Sequence, residues 1–309
     1  MRVVVALGGN ALLRRGEPMT ATTQHTNVRI AAQSLAELAH DHQIVVAHGN
    51  GPQIGLLALQ GAAYDPGAPW PLDVLGAETE GMIGYLVEHE LMNALPAGAK
   101  CATLLSRVEV DAADPAFAAP SKPIGPVYTV AQAQRAKADH GWTMVSEADG
   151  ECRRVVPSPL PLRLLGLEAI RTLMDNGHIV ICAGGGGIPV RRNANGRMEG
   201  VEAVIDKDRT AALLARDLKA DILLLLTDVS AVFQNWGTTN QCKIGQTTPL
   251  ALDALSLAPG SMGPKVAAAS AFVRESGGIA GIGRLQEGRA ILEGKAGTRI
   301  FPDEARTRR

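Results

Sequence analysis

The sequence predicts an α/β fold built on a mainly parallel central sheet, and three observations predict it. Short apolar runs recur along the chain, stretches with apolar residues at helical spacing lie between them, and glycine clusters follow three of the runs. Strands covered on both faces read as continuous apolar runs rather than alternating ones. Strands that alternate with helices pair in parallel, because each crossover needs the length of a helix.

Taken in order, the first strand is Val3–Leu7. Val28, Ala31, Leu35 and Leu38 then share one face of a helix. Ile44–Ala47 is the second strand. The segment from Asp111 to Pro161 carries seven prolines with glycine and polar residues between them. It is a poor candidate for the core sheet and reads either as a small inserted subdomain, a lid, or as a long surface loop. Leu164, Leu167, Ile170 and Leu173 predict another helix, with Gly177 as its stop. Ile179–Ala183, Ile222–Leu226 and Ile279–Ile282 complete the strands. Val266–Val273 predicts a helix with Pro264 in its first turn. Arg306–Arg309 reads as a frayed tail.

Composition narrows the function classes. The 309 residues suffice for a sizeable core, and 46% apolar with 20% charged residues is ordinary globular usage. A net charge of −1 argues against a general nucleic-acid or membrane-surface binder, and 3% aromatics provide no stacking platform. No apolar run is long enough to span a bilayer, and the first residues lack the pattern of a signal peptide. The four cysteines are too far apart for a CxxC motif. A cytoplasmic protein with reduced thiols is the expectation.

The glycine clusters point to an anion. They are Gly8-Gly9-Asn10, Gly49-Asn50-Gly51 and Gly184–Gly187. Ligands of open α/β sheets bind at the carboxyl ends of strands. Glycine there lets backbone N–H groups approach a phosphate, and a helix N-terminus adds a favourable dipole. Simple tight turns also use glycine, but three clusters after three strands favour the anion site. The spacing fits neither G-x-x-x-x-G-K-S/T nor G-x-G-x-x-G. Asp206-Lys207-Asp208 and Gly263-Pro264-Lys265 each place a lysine at a helix start, the electrostatically poor end, where it can reach a bound phosphate. Leu226-Thr227-Asp228 ends an apolar strand with a polar pair. No H-E-x-x-H or G-x-S-x-G motif occurs, so neither a zinc site of that type nor a serine hydrolase is indicated.

Eight blocks in order resemble the carbamate kinase family of the amino acid kinase superfamily. They are Ala6–Leu12, His48–Gln53, Ser121–Pro126, Arg153–Pro159, Ala183–Pro189, Ile205–Asp208, Leu226–Val229 and Gly260–Lys265. Related acetylglutamate and aspartate kinases carry a lysine on the first strand; this chain has none there, and Lys122 stands in the block that resembles its replacement. The resemblance implies a three-layer αβα sandwich, residues 1–309 as one domain, with a lid inserted at about 111–161. It implies ATP + carbamate ⇌ ADP + carbamoyl phosphate with Mg²⁺ carried by ATP or ADP, run toward ATP in arginine or ureido-compound catabolism, and a homodimer. Lys122, Lys207 and Lys265 would offset charge on the phosphoryl group, and Asp208 would hold the lysines. Gly8, Gly9, Asn10, Gly49, Asn50, Gly51, Gly184 and Gly185 would line the carbamate and γ-phosphate region. Asp206, Thr227, Asp228, Ala231, Val232, Trp236 and Met262 would form the nucleotide side, with no metal held by the protein alone. Ser230-Ala231-Val232-Phe233 and Trp236 depart from the family's Asp-Gly-Val-Tyr and tyrosine, which bears on nucleotide preference. Two other functions stay open: a related kinase for another small carboxylate, and a non-catalytic nucleotide or carbamoyl-phosphate sensor.

Overall fold

A computed structural model describes residues 1–14, 16–65, 67–146, 150–255 and 262–303, the side chains of Asn10 and Ala11 excepted. The predicted tail at Arg306–Arg309 and the Gly260-Ser261 pair lie outside the described residues.

The five predicted strands form the heart of an eight-stranded sheet. Arg2–Leu7 lies at its centre, paired in parallel with Gln43–His48 on one side and Ile222–Thr227 on the other. Ile279–Arg284 continues the sheet beyond Ile222–Thr227, and His178–Ile181 continues it beyond Gln43–His48. Lys100–Thr103 forms one edge. Thr298–Ile300 adds an antiparallel strand near the other edge.

Alternation along the central strand explains the layers, since successive side chains leave a strand on opposite faces. Val3, Val5 and Leu7 pack with the helices Ala21–Ala39 and Leu72–Ala94. Val4 and Ala6 pack toward Leu167–Asp175, Lys207–Asp217 and Met262–Ser276. All five side chains are buried. The result is the αβα sandwich with a mainly parallel sheet.

Two predicted boundaries shift. Leu164 ends a strand, Pro161–Leu164, and the helix starts only at Leu167, because Gly166 between them takes a left-handed φ of +84°. The strand predicted to reach Ala183 stops at Ile181, since Ala183 turns left-handed at φ +55°. Gly177 follows the end of its helix at φ +77°, as expected of a helix stop.

The Pro-rich segment is not an open loop. Its entry strand Arg107–Val110 and exit strand Pro161–Leu164 pair side by side. Between them Lys122–Tyr128, Cys152–Val156 and Met144–Ser146 form their own antiparallel sheet. The helix Val130–His140 packs beside it, with a Thr129/Gln132 capping box at its start and left-handed Gly141 at its end. Ile124 and Val156 of this sheet pack on Ile54, Ala58, Leu72 and Leu75.

Candidate functional site

The glycine clusters meet where the sheet's strands end. Gly8 donates its N–H to the Leu226 carbonyl at 2.8 Å, and Gly49 donates to Leu7 at 3.1 Å. A Cβ on Gly49 would lie 3.2 Å from the Gly9 Cα and 3.4 Å from the Lys207 side chain. Gly9 opens a short helix, Gly9–Leu12, that contains Asn10; the Asn10 side chain lies outside the described residues. Gly51 starts the helix Gly51–Tyr64, and Asn50 just before it donates through Nδ2 to Thr79 Oγ1 at 2.9 Å.

Gly184 and Gly185 belong to a turn against that same floor in which Ala183, Gly185, Gly186 and Gly187, but not Gly184, take positive φ. Gly185 has φ +66°, and a Cβ there would lie 2.1 Å from the Asn50 amide. Only glycine fits a site that combines this φ with this approach.

The charged residues stand opposite. Asp206 caps the helix Lys207–Asp217 by accepting N–H groups of Asp208 and Arg209, at 3.0 and 3.3 Å. Its other oxygen pairs with the Lys122 ammonium, brought over by the inserted sheet. Asp208 accepts Lys207 at 2.9 Å on one oxygen and Lys265 at 2.8 Å on the other. Burial raises the Asp208 pKa, but the two ammoniums outweigh it and hold the carboxyl well below its ordinary range. Burial, then repulsion from Lys207, pulls Lys265 down to about 8 against the attraction of Asp208. Lys207 is pushed up, its own burial penalty overcome by Asp208 and Asp206.

Two adjoining cavities share Gly9, Lys122, Arg153 and Lys207 as walls. The larger, about 940 Å³, also reaches Gly49, Asn50, Gly51 and Gly185. The smaller, about 680 Å³, reaches Gly8, Asp206, Asp208, Lys265 and Thr227. Asp228, Ala231, Val232, Trp236 and Met262 stand outside both linings. Ala231 and Val232 are fully buried, whereas Trp236 is 53% exposed and packs on Phe233. Thr227 donates to Asp228 at 3.0 Å at the strand end. Met262 packs against the core from the start of its helix.

Arg153 faces these cavities, and its Nε is buried without a hydrogen-bond partner among the described residues. The neighbouring Arg154 instead covers the Trp142 ring at 4.0 Å. Strand alternation separates the pair: adjacent residues point to opposite faces. The dipeptide marked both arginines, but only the sheet tells which one faces the site.

Among the described residues no group of three His, Cys, Asp or Glu side chains is placed to hold a metal. No helix among them is long and apolar enough to cross a membrane.

The amino acid kinase family model matches residues 1–282. The carbamate kinase of Haemophilus influenzae is 55% identical over 300 residues, covering 97% of this chain and 96% of its own. That of Rhizobium meliloti is 54% identical, covering 97% and 93%. The structure of the carbamate kinase from Giardia lamblia bound to AMP-PNP superposes with a TM-score of 0.87 at 40% identity, covering 98% of each chain. A fold, a charged strand-end site and near-complete coverage agree: the chain is a kinase of the amino acid kinase family and groups with its carbamate kinases.

Proposed function

We propose that this enzyme transfers a phosphoryl group reversibly between ATP and carbamate, and that it runs toward ATP synthesis in arginine or ureido-compound catabolism in the cytoplasm. The observation that carries the reading is the convergence of Lys122, Lys207 and Lys265 on two carboxylates beside the glycine turns. A carbamate oxygen attacks the γ-phosphorus in line, the new P–O bond forms, and the bond to the β–γ bridging oxygen of ATP breaks to release ADP. Carbamate is already an anion, so no base is required. The work left to the protein is positioning and charge compensation. Lys207 and Lys265 hold the phosphoryl oxygens, Asp208 keeps both ammoniums aimed, and Lys122 adds the third charge. Gly8, Gly9, Asn10, Gly49, Asn50, Gly51, Gly184 and Gly185 surround carbamate and the γ-phosphate. Asp206, Thr227, Asp228, Ala231, Val232, Trp236 and Met262 form the nucleotide side. Mg²⁺ carried by the nucleotide would neutralise phosphate charge; among the described residues no group of three His, Cys, Asp or Glu side chains is placed to hold it alone.

The inserted sheet acts as a lid. Its contact with the body runs through glycine on both sides: a Cβ on Gly55 would fall 1.9 Å from the Gly125 Cα. Gly55→Ala therefore displaces the strand that bears Lys122. Displacements of about 1 Å can cost on the order of 10²-fold in rate. Steady-state kinetics should show that loss, while calorimetric ADP binding stays as in the wild type.

Lys265 sets the alkaline limb. Its ammonium loses its proton as pH rises through about 8 in the free enzyme. Accordingly kcat/KM should fall above that pH, and kcat should fall only at higher pH, because bound phosphate favours the charged form. Full pH profiles of both parameters check this.

A homodimer belongs to the same proposal. The strand Lys100–Thr103 leaves one sheet edge open. Exposed Met82, Tyr85 and Met92 on the adjoining helix, with Leu105, line that side. A second copy extending the sheet would cover them, and sedimentation equilibrium measures the mass.

The deciding assay is ATP formation from ADP and carbamoyl phosphate with Mg²⁺. Turnover establishes the reaction. Tight nucleotide binding without turnover points to a sensor, and turnover only with another acyl phosphate points to a related kinase.

A further inference from the structure

Glu80 lies on the helix Leu72–Ala94, only 1% exposed, and among the described residues it forms no ion pair. Burying a carboxylate without a cation is costly unless hydrogen bonds offset it. Both of its oxygens accept backbone N–H groups: Oε1 from Gly184 at 2.8 Å and Oε2 from Ser106 at 3.0 Å. Ser106 Oγ in turn accepts the Ala183 N–H at 2.9 Å. The four-glycine turn and the segment after Lys100–Thr103 are thus tied to one side chain. His48 closes the other side. It is fully buried, its Nε2 has no hydrogen-bond partner among the described residues, and a Cβ on Gly184 would lie 2.4 Å from its ring and 2.9 Å from Glu80 Cγ.

We propose that Glu80 is a positioning residue for the small-substrate end of the site: by accepting the Gly184 and Ser106 N–H groups it holds the glycine turn where Gly185 meets Asn50, and so sets affinity for the carbamoyl-bearing substrate. The inference rests on the function proposed above. A carboxylate is needed because it accepts on both oxygens, whereas a glutamine turns one donor toward an N–H. The glycine turn itself accounts for the constraint. Ala183 holds a left-handed φ of +55°, a conformation that surrounding contacts must impose on a residue with a Cβ.

The arrangement also responds to pH. Burial pushes Glu80 up to about 7 against the hydrogen bonds that favour its charge. When it takes a proton, one oxygen becomes a donor and loses its N–H partner. The titratable groups facing it are His48, which burial pulls down to about 4, and Cys182, which burial pushes far up. Neither changes charge between about pH 6 and 8.

The test is Glu80→Gln assayed for ATP formation at about pH 6, 7 and 8. The expected result is a KM for carbamoyl phosphate raised about tenfold at pH 8, with the KM for ADP unchanged. The wild-type KM for carbamoyl phosphate should rise toward pH 6 more steeply than that of the variant, which has no carboxyl at position 80 to protonate. Substrate ionisation is common to both proteins and cancels in the comparison. Should that variant not fold, Ser106→Ala, which removes the tie from Ser106 Oγ to the Ala183 N–H of the same turn, should raise the KM for carbamoyl phosphate at pH 8, and an unchanged KM there overturns the role of Glu80. Equal KM values in wild type and variant, or equal pH responses, overturn the role of Glu80 and leave the reaction intact. A wild type that makes no ATP overturns the reaction first, and this inference with it.

Discussion

Asp208→Asn is expected to cost about 3–5 kcal/mol of stability and at least about 10²-fold in kcat. The carboxylate is 3% exposed and sits between two ammoniums at 2.9 and 2.8 Å. Without its charge, Lys207 and Lys265 are left buried and facing each other. An uncompensated buried charge is what makes breaking such a group expensive, more than the attraction itself. The remaining route to relief is deprotonation, and Lys265, already lowered to about 8, gives up its proton first. The phosphoryl group then meets one fewer cation. Chemical denaturation and single-turnover kinetics measure the two losses separately. The acid limb gives a check on sign. A carboxyl held below its ordinary 3.8 in the fold stabilises the protein above that value and ceases to do so as pH falls through its folded pKa. Wild type and variant should therefore converge in stability in strong acid.

Lys122→Ala should lower kcat on the order of 10²-fold or more and leave the fold intact. The pair with Asp206 is part-exposed, and Asp206 keeps its helix-capping bonds through its other oxygen, so little stability depends on the lysine. Differential scanning calorimetry should show nearly unchanged melting, and ADP should still bind. Loss of ATP formation in that background assigns the lysine to the transfer step. Turnover indifferent to the substitution would remove Lys122 from the mechanism while leaving the reaction in place.

The central strands were legible because each is buried on both faces. Val3–Leu7 and Ile222–Leu226 have no polar face to break their apolar runs. The inserted sheet was not legible as a sheet: Lys122–Tyr128 contains Pro123 and Pro126, and its pairing with Cys152–Val156 shifts between Ile124 and Val127. Such a strand has neither a continuous run nor a clean alternation. The helix Val130–His140 carries capping chemistry at both ends, signals that were present at Thr129, Gln132 and Gly141 within a segment dominated by its prolines.

The same division runs through the site. Glycine clusters after three strands, and lysines at helix starts, point to an anion site, because a lysine at that end of a helix is poorly placed without one. Their mutual geometry is not local. Lys122 and Asp206 are separated by 84 residues, and Lys265 and Asp208 by 57, so only the folded chain can pair them. Glu80 carries no sequence signal at all, since a glutamate within a helix is ordinary, and the block that begins at His48 does not show that its ring is buried against the glycine turn. By itself the sequence determined the alternation of strands and helices, the strand ends that carry the glycine clusters and the residue types available there, because burial and backbone conformation act over a few residues. The tertiary structure alone decided which charges share a partner, which arginine faces the cavity and which buried carboxylate supports the glycine turn, because those depend on distances between elements that the chain brings together only once it is packed.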